Sequence, residues 1–323
     1  PVSLDKSPLP AMDITSLRDA YRQLQGMATD VETQQIVQYR LADLEILLAE
    51  EKQEKGEGSD QQGLYDLAIS QYQQILQTYP QQENASVLYQ LAKAYDLQGD
   101  AVQSFETIET LLAQYPQNPY LAEVYFRKGE ILYAQNNYPG AINAYRQVLA
   151  QGNDTAYFVT AAYMLGWSYF KAEQTQPALL AFTQLLDHRL AEQPSSPIGE
   201  QDTGPLDFLP KGERRLVVDT IRIMAMLFSY EGAELSLVSH FEEVGERHYE
   251  HMLYDELGQQ FLNDDRFRDS AKVYQAFTEQ HSDHVKAPFF AVKQIDAYIL
   301  GKFPSLVLPA KQSFVERYGI RGQ

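Results

Sequence analysis

From residue 34 onward, apolar residues recur at intervals of three and four along most of the chain, the spacing that lines up side chains on one face of an α-helix. The stretch YFRKGEILYAQNNYPGAINAYRQVLAQGND, residues 125–154, reads as two such helices joined by a polar turn that includes Tyr138. QYRLADLEILLAEE (38–51) and YDLAISQYQQILQTYP (65–80) read as another pair, separated by the charged, Gly-containing insertion KQEKGEGSDQQG (52–63). The periodicity stops at AEQPSSPIGEQDTGPLDFLPKGE (191–213), a Pro- and Gly-rich loop, and resumes in RRLVVDTIRIMAMLFSYEG (214–232). The pattern predicts an all-α chain of helices alternating with short turns.

The helices are copies of one another. Small residues stand at Ala92, Gly129 and Gly166, 37 residues apart, and a second series, Ser104, Ala141 and Ala178, keeps the same interval 12 residues further on. That offset accommodates the rest of one helix, a tight turn and the first turn of an antiparallel partner. Small residues at both points let the two helices approach closely, and Ile108, Tyr145 and Phe182, one helical turn beyond the second series, fill the space between them. A further copy reads Tyr254, Leu257, Gly258, Phe261, Phe267, Ser270 and Tyr274, and a last hairpin runs through Ile295 and Tyr298 to LVLPAKQSFVERYG. Asn118 followed by Pro119 predicts a helix N-cap with Pro in the first turn, while the TYP and QYP junctions stop the preceding helices.

This pattern resembles the tetratricopeptide repeat, with Tyr125, Gly129, Leu132, Ala141 and Tyr145 in one copy and Leu165, Gly166, Tyr169, Ala178 and Phe182 in the next. The resemblance implies a right-handed superhelical solenoid of about six to seven antiparallel helix pairs, whose neighbours bury the apolar faces that a lone hairpin would expose. The organisation expected is an N-terminal extension with a short helix (1–33) that covers the first hairpin, four hairpin copies (34–190), the Pro/Gly-rich loop (191–212) and further hairpins (213–323). The 37-residue spacing and the Tyr-Pro junctions are similar to bacterial cell-envelope members of the family, the barrel-assembly lipoprotein and the Tol–Pal coordinator. That similarity implies a periplasmic or envelope location, with a cytoplasmic one as the alternative.

Charge narrows the partners. A net charge of −18 over 323 residues argues against a phosphate-backbone binder, which needs clustered Lys and Arg, and favours neutral or basic proteins. No apolar run is long enough to span a bilayer. With no cysteine there is no disulfide, thiolate metal site or thiol nucleophile, any lipid-anchoring cysteine would have to lie upstream, and the initial Pro1 suggests that a leader or upstream segment has been removed.

In repeats of this kind the first helix of each hairpin lines the inner groove. Carried onto this sequence, that wall collects Tyr89, Lys93, Phe126, Arg127, Tyr133, Tyr163, Trp167, Phe170 and Lys171. Aromatic rings offer large contact area with few rotamers to freeze, and scattered cations bind carboxylates or stack on rings, a combination suited to a peptide or a partner helix. Some of these rings are also of the kind that fills gaps between neighbouring hairpins. The carboxylate clamp of the chaperone-binding branch does not carry over, because its Asn residues are missing among Tyr89, Lys93, Phe126, Arg127 and Glu130.

Enzymatic chemistry finds little footing: there is no glycine-rich phosphate loop, nucleophile elbow or His-Glu-x-x-His, and no cofactor is implied. The pairs His248/His251 and His281/His284, with Asp283 between the latter, raise a metal-dependent hydrolase as a minor alternative, against a plainer reading as caps and turns. The leading expectation is a non-enzymatic scaffold holding a peptide or protein in its groove in an envelope assembly or transport system. Self-association or handling of an envelope polysaccharide is the runner-up.

Overall fold

The computed structural model describes residues 13–55, 63–191, 206 and 208–319. These residues form fifteen α-helices and no strand. The chain divides into two compact units, 1–158 and 159–323. Most of the expected 191–212 loop, and the core of the 52–63 insertion, lie outside the described residues.

The first unit contains α1 (Ile14–Met27), α2 (Val31–Glu54), α3 (Asp66–Thr78), α4 (Ala85–Gln98), α5 (Ala101–Gln114), α6 (Leu121–Ala134) and α7 (Tyr138–Ala150). Helices α2/α3, α4/α5 and α6/α7 pack as hairpins, and α1 lies against α2. Asp13 and Asp30 cap α1 and α2, each carboxylate accepting from the backbone N–H three residues on. The second unit holds α8 (Phe158–Lys171), whose first residue marks the boundary, α9 (Thr175–Leu190), α10 (Lys211–Tyr230), α11 (Glu234–Val244), α12 (Glu250–Asn263), α13 (Phe267–Gln280), α14 (Ala287–Leu300) and α15 (Pro304–Tyr318). The described helices therefore make seven consecutive pairs after α1, in keeping with the all-α stack of helix pairs read from the repeat.

The small residues do what their spacing requires. A Cβ on Gly129 would stand 2.6 Å from the ring of Tyr145, and one on Gly166 would stand 2.5 Å from the ring of Phe182. Gly258 meets Tyr274 in the same way. In the α4/α5 copy the pair is Ala92 with Ile108, a larger small residue facing a smaller large one, and Ser104 donates to the carbonyl of Ala92 at 2.9 Å. Tyr72, fully buried in the α2/α3 hairpin, donates to Asp43 at 2.6 Å.

The hairpin turns repeat as closely as the helices. Gly99, Asn136, Glu173, Asp265 and Lys302 all have left-handed φ, between 57° and 83°. After each, the next N–H donates back into the preceding helix: Asp100 to Tyr95, Asn137 to Leu132, Gln174 to Tyr169, Arg266 to Phe261 and Phe303 to Tyr298, at 2.8–2.9 Å. This is the Schellman closure, in which a left-handed residue satisfies helix carbonyls that would otherwise be orphaned. Of these five turns, only the one between α4 and α5 uses glycine there.

Two local expectations are corrected. Asn118 does not cap α6: it makes a turn of its own, accepting from Tyr120 N–H at 2.9 Å and donating to the Tyr115 carbonyl at 2.8 Å, and the helix begins at Leu121. Tyr138 is the first residue of α7 and not part of the turn, because Asn137 takes the N-cap and accepts from Gly140 N–H.

Candidate interaction surface

In the first unit, α4 and α6 present the residues in question. Tyr89 stacks on Tyr120, the residue preceding α6, with ring centroids 4.2 Å apart and planes 6° from parallel. Both Tyr89 and Tyr157 donate their hydroxyls to Glu123 in the first turn of α6. Arg127, one turn along, donates to the same carboxylate through Nε (3.1 Å) and Nη2 (2.8 Å), and reaches Asp96 on α4 through Nη1 at 2.7 Å. Burial pushes the Glu123 carboxyl upward, but the hydrogen bonds from Tyr89, Arg127 and Tyr157 outweigh it and hold the group below its ordinary value. Burial, followed by the bond to Glu123, pushes the Tyr157 phenol up to about 12. A closed set of three tyrosines, two carboxylates and one guanidinium is thus built there, its single cation already paired within the chain and one negative charge in excess.

The sequence-derived residues separate here. Tyr89 and Arg127 meet through Glu123. Lys93, half-buried one turn beyond Tyr89, extends the same face, and Asp43 feels its charge. Phe126 turns inward: it is only 9% exposed, packed between Tyr145 and Tyr157 with centroids 5.9 and 5.3 Å away. It fills the gap between helices in place of lining a groove. Tyr133 sits at the turn end of α6 with its ring edge-on to Tyr138 at 5.5 Å.

In the second unit, α8 carries Tyr163, Trp167 and Phe170 in a continuous edge-to-face row, with centroid distances of 6.3 and 5.7 Å. All three are half-buried, and Tyr163 also rests against Phe182 of α9 at 6.1 Å. Lys171 is exposed in the last turn of α8, where a cation complements the helix dipole.

Tyr120, Glu123 and Tyr157 were not reached by the sequence argument. A signal for two of them existed: Tyr120 and Tyr157 are themselves 37 residues apart, immediately before first helices. Glu123 has no such marker, since its role depends on side chains converging from α4, from the next turn of α6 and from the residue before α8.

The histidines are held by their own neighbourhood. His251 Nδ1 lies 3.0 Å from the His248 carbonyl, and His281, the C-cap of α13, bridges Glu246 at 3.3 Å and the buried Glu250 at 3.0 Å. His284 Nδ1 accepts from Lys286 N–H. Among the described residues no group of three or more His, Asp or Glu is arranged to hold a metal ion, and no helix is long and apolar enough to cross a membrane.

Tetratricopeptide repeat patterns match residues 61–127, 122–154 and 160–188. A comparison with curated proteins returned no match. Among solved structures, a tetratricopeptide repeat protein from Parabacteroides merdae is 13% identical, covering 94% of this chain and 93% of its own, with a TM-score of 0.42. MamA from Desulfovibrio magneticus is 16% identical over 63% of this chain and 92% of its own, with a TM-score of 0.40. PilF from Pseudomonas aeruginosa is 16% identical over 78% and 97%, with a TM-score of 0.39. With three matched segments, the 37-residue interval and glycines packed under aromatic rings in the hairpins, the chain carries tetratricopeptide repeats over residues 61–188.

Proposed function

We propose that the chain is a non-enzymatic scaffold that holds an extended peptide or a helix of a neutral or basic protein against its first-helix faces. Stacked repeats of this kind build extended binding surfaces from positions that neighbouring copies share. The observation that carries the reading is the row Tyr163–Trp167–Phe170 on α8: three large rings, neighbours of one another, half-buried and so still offering apolar area to a partner. In the first unit Arg127 is neutralised by Glu123 and Asp96, so the wall there offers tyrosine rings and acceptor groups more than free cations. That arrangement, with the net charge of −18, favours a basic ligand over an acidic one.

The proposed setting is a bacterial envelope assembly or transport system, supported by the resemblance of the 37-residue spacing and Tyr-Pro junctions to envelope members of the family. The test compares the chain with its Tyr163→Ala, Trp167→Ala, Phe170→Ala variant in affinity capture from envelope and cytosolic extracts. Loss of a captured protein from the variant, with helicity unchanged, supports the α8 wall and reveals the compartment; equal capture removes it. Because Trp167 is the only tryptophan, a purified partner peptide should also shift the intrinsic fluorescence of the wild-type chain.

A further inference from the structure

Two surface regions combine exposed apolar side chains with charge of one sign. The first is the groove between α14 and α15, lined by Ile299, Lys302, Phe303, Val307, Leu308 and Lys311. Ile299, Leu300 and Leu308 are exposed, Leu308 to 64%. From 297 to 315 the only charged residues are Lys302 and Lys311, in a chain whose net charge is −18. Neither lysine pairs with a carboxylate among the described residues. Both ammonium groups therefore stand beside apolar area with no carboxylate partner among the described residues.

The second is the junction of α1 and α2. Leu24, Met27 and Val31 are exposed there, Met27 to 74%. From 23 to 39 the only charged residues are Asp30 and Glu32. Each region holds about the same number of large apolar side chains and two like charges, and the signs are opposite.

We infer that the α14–α15 groove of one copy receives the α1–α2 junction, residues 24–32, of a second copy. The apolar side chains of the junction cover Ile299, Leu300 and Leu308, while Asp30 and Glu32 face Lys302 and Lys311. Opposite charges at the rim orient such a contact and disfavour junction-on-junction or groove-on-groove pairing, where like charges would meet. Three or four large side chains per partner bury less than the roughly 1,200 Å² of a standard-size interface, so the association is weak and concentration-dependent. The contact is heterologous: each copy carries one of each face, and a copy that has given its junction still has an open groove.

Head-to-tail pairing has a signature that symmetric pairing lacks. Met27→Glu spoils only the junction and Leu308→Glu spoils only the groove; both side chains are mostly exposed, so circular dichroism should match the wild type. Sedimentation velocity on the full chain from micromolar to millimolar concentration should show the wild-type mass rising, each variant alone staying monomeric, and an equal mixture of the two giving dimers that grow no further. A wild type that stays monomeric throughout overturns the inference. So does a mixture that fails to associate, or association that survives Met27→Glu while Leu308→Glu abolishes it, since the groove would then have a different occupant.

Discussion

Gly166 and Phe182 meet so closely that the ring occupies the place of a side chain on the opposite helix. Gly166→Ala gains about 1 kcal/mol of helix propensity but overpacks the ring at a cost of about 1–3 kcal/mol, so the net effect expected is a destabilisation of about 1 kcal/mol in urea unfolding. The α4/α5 hairpin shows the remedy: with Ala92 in that position the partner is Ile108, and Gly166→Ala combined with Phe182→Ile should recover part of what either change loses alone. Buried histidines set a pH response at the same scale. Burial holds His240 and His251 down to about 4, with the Arg247 charge adding for His240 and the Lys286 charge for His251. A folded-state value below the unfolded one of about 6.5 means that their contribution is complete above pH 6.5 and is lost as pH falls toward 4. His281 runs the other way, raised first by its hydrogen bond to Glu250, so its contribution is present below 6.5 and lost as pH rises through its folded value. Thermal unfolding midpoints should fall from pH 6.5 to 4.5, and His240→Gln with His251→Gln should flatten that slope. The small-residue series that places Gly166 was legible because it repeats; the environment of His240, beside Thr183 at 2.8 Å across 57 positions of sequence, was not.

At the scale of elements, α1 differs from every helix that follows except α15 in having no buried residue. Its attachment to α2 centres on Glu45, only 8% exposed, which faces Arg22 at 3.5 Å and Arg18 at 4.0 Å. Glu45→Ala should leave the two guanidinium groups without that acceptor and speed hydrogen exchange across 14–27, while amides of α4 to α7 keep their protection. Unchanged exchange in α1 would show that its apolar side chains alone hold it. Helix number and pairing were readable from the 37-residue period, because each interval needs two helices to return the chain to its starting face. Helix starts were less readable: at Asn118 and Tyr138 the same polar residues serve a turn or a cap, and the choice is made by neighbours such as Tyr115 and Asn137. The inward turn of Phe126 is a further case, since its position in the repeat is that of Tyr89 and Tyr163 and only the packing of Tyr145 and Tyr157 separates its role from theirs.

For the whole molecule, a net charge of −18 means that carboxylates repel one another in the folded chain more than in the expanded one. The ion pairs that salt would weaken are mostly at the surface, where each is worth about 0–1 kcal/mol. Self-repulsion should therefore decide the sign, and the thermal midpoint should rise as sodium chloride is added from about 10 to 150 mM, over which the screening length shortens from about 30 to 8 Å. A midpoint that falls would place the weight on the ion pairs instead. The tetratricopeptide repeats were legible from four copies; the pairing of Tyr120 with Tyr89 and the neutralisation of Arg127 required the fold. The left-handed turn residues carry one more consequence. Because Asn136, Glu173, Asp265 and Lys302 hold the same backbone shape as Gly99, the reversal of direction is specified by the Schellman bonds and not by a particular side chain. Copies that reverse identically can be duplicated or deleted as 37-residue blocks without shifting the register of those that remain, so the array can change its length by recombination while each surviving hairpin keeps its own core.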